Sequence, residues 1–260
     1  MDDPVMTDPV ILTAAVLLGL CFGSFANVLI WRLPRNEQVV AGRSRCPSCG
    51  AGIAWHDNVP LLGWLLLRGR CRHCRVSISP RYPLVEALGG ALAAGCVLVA
   101  GPTTAAVSAF VFLYLLGVIA LVDWQHMIIP HTLTIAGMVA GLALAPVAGP
   151  GLGAALLGLV AGGGAVWALS EGYRLTRGQA GMGFGDVMLM GMVGAFLGPW
   201  PALAVLGMGA LLGTLYAVAR YGGRPDGSAK LPFGTFLAAA AGIVLVAGPA
   251  MWRWYVGLMF

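Results

Sequence analysis

Two C-x-x-C pairs, Cys46-Pro47-Ser48-Cys49 and Cys71-Arg72-His73-Cys74, carry the densest ligand chemistry in the chain. Each pair lets two thiolates converge on one ion, and a separation of about twenty residues is that of a four-thiolate zinc ribbon. Four protein ligands complete a tetrahedral shell, so such a metal is structural rather than catalytic. His73 could stand in for a thiolate, but four spaced cysteines leave it no vacancy. The rival reading, a pair of disulfides, needs an oxidising compartment. Cys21 and Cys96 lie in apolar stretches and read as small buried hydrophobes.

Three carboxylates also stand out: Glu86, Asp123 and Asp186, each within or at the edge of an apolar run. Ionisable groups at membrane depth are costly and point to function by default. Their meaning depends on the elements that hold them.

Hydrophobic residues make up 59% of the 260-residue chain and charged residues only 10%. A soluble domain carries about a quarter charged residues, because its surface must be wetted. The chain therefore reads as an all-α polytopic membrane protein. Eight apolar runs approach the length of about 20 residues that a bilayer requires: 9–31, 84–100, 103–122, 132–148, 152–170, 183–198, 200–219 and 233–256. Tight turns are expected at Gly101–Pro102, Gly149–Gly151 and Gly198–Pro199. The expected organisation is a first membrane helix at 1–31, a small metal-binding insertion between helices 1 and 2 at 32–82, and a membrane domain at 83–260. Within the insertion, the run Val59–Leu67 is too short to span. It either packs on the insertion's own core or lies at the interface. The loop 220–231, rich in glycine, reads as flexible.

Charge orients the chain. With eight spans, segments 32–82, 123–131, 171–182 and 220–231 share one side and hold every Lys and Arg except Arg253. The positive-inside bias makes that side cytosolic and leaves both termini periplasmic. Asp2, Asp3 and Asp8 precede the first span and the positives follow it, so the span reads as a retained helix rather than a cleaved signal peptide. The net charge of +5 follows from this asymmetry. It suits anionic lipid headgroups, and no basic patch interleaved with aromatics suggests nucleic acid.

This topology brings Asp123 and Asp186 to similar depth at the cytosolic face, although only Lys and Arg were used to derive it. Two close carboxylates cannot both ionise cheaply; one keeps its proton while the other activates water, as in aspartic proteases. Gly183 and Gly185, just before Asp186, leave room for an extended peptide backbone. The residues alone support a second reading equally well, in which Asp186 caps a helix N-terminus and Asp123 hydrates a helix end. Glu86 sits three residues after Pro83 and reads as structural, in a first helical turn. An ion-coupled transporter would favour midplane acids and inverted repeats, neither of which the sequence contains. A scaffold with a partner-binding metal loop would tolerate loss of both aspartates.

Gly183-Phe184-Gly185-Asp186 resembles the Gly-x-Gly-Asp signature of polytopic aspartyl peptidases. Gly23-Ser24-Phe25-Ala26-Asn27, the cysteine loop with Asp57-Asn58-Val59-Pro60-Leu61-Leu62, Arg81-Tyr82-Pro83-Leu84-Val85-Glu86 and Pro232-Phe233-Gly234 are similar to stretches of the bacterial prepilin peptidases in particular. That resemblance implies Asp123 and Asp186 as the catalytic pair and Cys46, Cys49, Cys71 and Cys74 as the cysteine tetrad. It also implies an inner-membrane enzyme that cuts the basic leader from prepilins or type II secretion pseudopilins at the cytosolic face. N-methylation of the new terminus with S-adenosylmethionine would follow. No cofactor-binding residues can be assigned, since Gly162-Gly163-Gly164 lies inside a span. The chain departs from the family pattern at His131, usually Asp, and at Met188, commonly Lys.

Overall fold

The computed structural model describes residues 8–40, 42, 44–178, 181–222 and 231–259. Asp2, Asp3, Arg43, Arg224, Lys230 and most of the loop expected to be flexible lie outside these. Nine α-helices are described: α1 (Pro9–Arg32), α2 (Leu62–Leu66), α3 (Arg81–Ala100), α4 (Thr104–His126), α5 (His131–Ala148), α6 (Leu152–Arg177), α7 (Phe184–Leu197), α8 (Pro199–Tyr221) and α9 (Phe233–Met259). The described residues form no strand, only two isolated antiparallel bridges, Arg45 with Gly52 and Arg70 with Ser77. The all-α expectation holds.

Six of these helices, α1, α3, α4, α5, α6 and α8, are long and apolar enough to cross a membrane, while Phe184–Leu197 and Phe233–Gly248 are shorter apolar helices. The 14 residues of α7 rise only about 21 Å, against a hydrocarbon core of about 30 Å. Burial explains how so short a helix is accommodated. Leu189, Met190, Met192, Val193 and Ala195 are wholly buried, so α7 is wrapped by protein and need not match the bilayer. The expected turns are present, with Gly101, Gly151 and Gly198 all at positive φ, which suits a residue without Cβ.

The chain forms two compact units, Met1–Ala106 and Val107–Phe260. In the first, α1 and α3 touch along a glycine seam: a Cβ at Gly19 or Gly89 would run into the other's backbone. Membrane helices, which lack a hydrophobic drive to associate, gain packing energy from such close approach. Asn27 Nδ2 on α1 donates to the carbonyl of Tyr82 at the start of α3, at 3.1 Å. Between these helices lies the cysteine module. Its short α2 turns Leu62, Leu65 and Leu66 outward while Gly63 is buried, so the apolar run is split between an exposed face and a packed one. Cys96 is buried as expected, whereas Cys21 lies on the exposed face of α1. A membrane helix can expose a small apolar thiol because its surroundings are apolar too.

In the second unit, α7 packs against α5, α6, α8 and α9. Phe112 of α4 and Phe196 of α7 add a ring contact with centroids 4.7 Å apart.

Candidate active site and cysteine cluster

The two knuckles share one backbone design. The Cys46 N–H donates to Ala51 O and the Gly50 N–H to Cys46 O; the Cys71 N–H donates to Val76 O and the Arg75 N–H to Cys71 O. Each knuckle thus closes at a left-handed residue, Gly50 (φ 70°) in the first and Arg75 (φ 60°) in the second. All four Sγ atoms lie within 4.8 Å of one another, and Cys46 Sγ is 3.8 Å from Cys74 Sγ. Zinc–sulfur bonds of about 2.3 Å at tetrahedral angles set sulfurs about 3.8 Å apart, so the tetrad fits a zinc ion. The N–H groups of Cys49 and Ser48 lower the Cys46 thiol to about 6. Those of Cys74 and His73 lower Cys71. The Val76 N–H favours the Cys74 thiolate, but burial and the neighbouring thiols outweigh it and push Cys74 up to about 11. His73 is exposed and outside the tetrad.

The module is braced from within. Arg72 Nε donates to Asp57 Oδ2 at 2.7 Å and its Nη2 to Oδ1 at 2.5 Å, and this guanidinium holds the Asp57 carboxyl below its usual range. Trp64 Nε1 donates to Ile78 O at 3.0 Å. A cavity of about 720 Å³ opens within this unit, lined among others by Asn27, Trp31, Asp57, Trp64, Tyr82 and Glu86.

Both candidate catalytic aspartates are buried, Asp123 at 4% exposure and Asp186 at 9%. Each uses one oxygen to accept a backbone N–H at the N-terminal end of a helix, where intrahelical acceptors run out; the Thr235 N–H is shared with Pro232 O at 3.1 Å. Asp186 Oδ2 accepts from Gly183 at 3.1 Å, and the Asp186 N–H returns to Gly183 O. Asp123 Oδ2, from the last turn of α4, accepts from the N–H of Thr235 in α9 at 2.8 Å and lies 3.1 Å from its hydroxyl. Neither Oδ1 has a protein partner among the described residues, and no buried side-chain oxygen is left unsatisfied; both Oδ1 atoms are therefore accessible. The helix-cap reading and the reactive reading are compatible, because each uses a different oxygen.

Ile129 connects the two aspartate neighbourhoods. A Cβ at Gly185 would sit 2.8 Å from Ile129 Cβ, and one at Gly234 would sit 2.6 Å from Ile129 Cδ1 and 3.1 Å from Asp123 Oδ2. Packing against Ile129 is reason enough for glycine at 185, whereas Gly183 stays exposed. His131 meets Phe184 of the motif edge-on, with centroids 5.7 Å apart. Met188 is half-buried on α7.

Residues 17–100 match the bacterial peptidase A24 N-terminal domain, and residues 110–218 match the type IV leader peptidase family. Among curated proteins, the prepilin leader peptidase/N-methyltransferase of Burkholderia pseudomallei (strain 1026b) is 37% identical over 266 residues, covering 91% of this chain and 85% of its own. The chain belongs to the type IV leader peptidase family. The Myxococcus xanthus (strain DK1622) protein of the same name is 43% identical over 229 residues, 84% of this chain and 67% of its own. That of Aeromonas hydrophila is 35% identical over 267 residues, 92% of each. No solved structure matches.

Family motifs alone do not reveal Thr235 or Ile129. Thr235 follows Pro232-Phe233-Gly234 directly, so its neighbours carried the only available signal. Ile129 looks like one apolar residue among many.

Proposed function

We propose that this chain is a membrane-embedded aspartyl endopeptidase that removes the leader of type IV prepilins or type II secretion pseudopilins at the cytosolic membrane face, then N-methylates the new terminus. The observation that carries this reading is the pair of buried aspartates, each anchored through Oδ2 with Oδ1 left open. One carboxyl keeps its proton while the other takes a proton from water, which adds to the scissile carbonyl. The tetrahedral adduct collapses, the C–N bond breaks, and the departing amine takes the acid's proton. The Oδ2 hydrogen bonds hold both groups in place throughout. Gly183 gives the substrate backbone room to approach.

Cys46, Cys49, Cys71 and Cys74 hold one structural zinc in this reading, with no vacancy for a substrate. The cavity of the first unit suits S-adenosylmethionine. Its size lies within the range of about 300–1,000 Å³ typical of small-molecule sites. Trp31 and Trp64 offer flat apolar contact, and Tyr82 and Glu86 offer polar contact. The lining carries both signs, Glu37, Asp57 and Glu86 with Arg32, Arg45 and Arg72, which suits a ligand bearing both a carboxylate and cationic groups. When bound, S-adenosylmethionine supplies an electrophilic methyl group for the new α-amine. The Lys and Arg distribution supports cytosolic placement of the cysteine module and the aspartates, with periplasmic termini in the inner membrane.

The deciding experiment incubates purified protein with a prepilin from the same cell and reads product mass with and without S-adenosylmethionine. Loss of the leader, plus one methyl group only when the cofactor is present, is the expected result. Cleavage without a mass gain at saturating cofactor would limit the chain to peptidase activity. An intact substrate would overturn the reading.

A further inference from the structure

Thr235 carries the observation that goes furthest beyond the family's motifs. It lies in the first turn of α9, and its backbone N–H and its hydroxyl converge on a single atom, Asp123 Oδ2, at 2.8 and 3.1 Å. The same hydroxyl oxygen is also 3.1 Å from the carbonyl of Ala120, one turn before Asp123 on α4. A threonine hydroxyl has one proton to donate and two lone pairs to accept with, and it rotates to suit its neighbours. The Ala120 carbonyl can only accept. The three oxygens therefore have two complete hydrogen-bonding arrangements, and both use the same heavy-atom positions.

We propose that Thr235 is the positioning residue of Asp123, a rotating hydroxyl that supports this carboxyl in both of the protonation states that peptide cleavage requires. When Asp123 is ionised, the Thr235 O–H points at Oδ2 and the Ala120 carbonyl keeps only its helical partner. When Oδ2 takes up a proton, that proton points at Thr235 Oγ1 and the threonine O–H turns to Ala120. No proton leaves the threonine, and no side chain moves. The Thr235 N–H stays on Oδ2 in both states, using its remaining lone pair. Oδ1 is left to water and substrate throughout. Gly234 makes the arrangement possible, since a Cβ there would crowd both Asp123 Oδ2 and Ile129. Asp186, next to the Gly185 that packs on the same Ile129, is the other buried carboxyl among the described residues.

The proposal rests on the dyad reading, so its test carries Asp123→Asn in parallel. Thr235→Val keeps the shape and the backbone N–H but removes the hydroxyl, and Thr235→Ser keeps the hydroxyl but removes the methyl. Leader cleavage is measured across pH for each, with kcat and KM separated. The valine variant should lose roughly tenfold to a hundredfold in kcat, the scale of one hydrogen bond to a charged group. Its KM should stay near wild type, and its kcat–pH profile should be displaced. The serine variant should restore both rate and profile. A valine enzyme with wild-type kcat and pH profile overturns the proposal, as does a serine enzyme as defective as the valine one. Should the valine variant accumulate poorly, Thr235→Ala replaces it, with the same outcomes deciding. Normal cleavage by Asp123→Asn would instead overturn the dyad reading itself.

Discussion

The carboxylate of Glu86, on α3, accepts the backbone N–H of Leu61 at 2.8 Å. Leu61 stands at φ 62° and ψ −51°, immediately before α2, a conformation that a side chain with a Cβ rarely adopts. A membrane helix thus pins the strained turn of the cysteine module. This supports the structural role expected for Glu86, by a different contact from the helical-turn position that suggested it.

Glu86→Gln keeps an acceptor for Leu61 and should cleave leader at near wild-type rate. Glu86→Ala leaves that N–H unsatisfied at a cost of about 1–3 kcal/mol, read as a lower melting midpoint. If Glu86 also contacts the methyl donor, the glutamine variant should show a raised KM for S-adenosylmethionine while cleavage is spared. Complete loss of cleavage in the glutamine variant would make Glu86 part of the peptidase chemistry.

Asp123→Asn and Asp186→Asn should each lower cleavage by at least about a thousandfold, and the double variant should be no worse than either single one, because two carboxyls sharing one proton would act as a unit. Zinc content should not change, since both residues lie outside the cysteine module. Independent, multiplying losses would argue against a shared proton.

Purified protein should contain about one zinc per chain, as four thiolates fill one tetrahedral shell. Replacing both Cys46 and Cys49 with Ser should abolish it. Every ligand must be a thiolate, yet Cys74 in the metal-free module keeps its proton well above neutrality. Zinc binding should therefore release protons, strengthen as pH rises and fail as pH falls. Calorimetry in buffers of different ionisation enthalpy measures that release. The Asp57 pair has a depressed carboxyl, so its contribution is present above the unfolded pKa and is lost as acid titrates through the folded one. That loss lies below the range in which the zinc should leave.

Arg75→Gly should stabilise the module. The first knuckle already has Gly50 at the equivalent left-handed position, while Arg75 adopts φ 60° with a Cβ. A left-handed residue costs about 1–2 kcal/mol, and glycine gives back about 0.5–1 in chain entropy. A net gain of about 0.5–1 kcal/mol, seen as a raised denaturant midpoint, is expected. Destabilisation would mean that the Arg75 side chain makes a contact worth more than the strain.

The sequence disclosed what local spacing can encode. Cys46 to Cys49 and Cys71 to Cys74 announce a metal shell because ligand spacing is a short-range property. Gly183 to Asp186 encodes the capped turn that opens α7 for the same reason. The Thr235–Asp123 contact joins residues on α4 and α9 far apart in the chain, and only packing brings them together. Hydropathy could not distinguish α7, buried inside the protein, from helices facing lipid, because both read as apolar. Nor could it indicate that the two aspartate readings are compatible, since that depends on one oxygen capping while the other remains open.

The glycine seam between α1 and α3 has a consequence for what a metal on the cysteine tetrad would have to do. The chain leaves α1 and re-enters α3 at points already held together by backbone contact and by Asn27 on Tyr82. The cysteine module is therefore a ring whose ends are closed by the α1–α3 contact, independently of any ion. Most of the loop-closure entropy that a free zinc ribbon must overcome is met when the two helices associate. A bound ion would have only to join one knuckle to the other. Stripping it should loosen that joint and leave the ring closed, so the module should recover its metal rapidly and without refolding from a random chain.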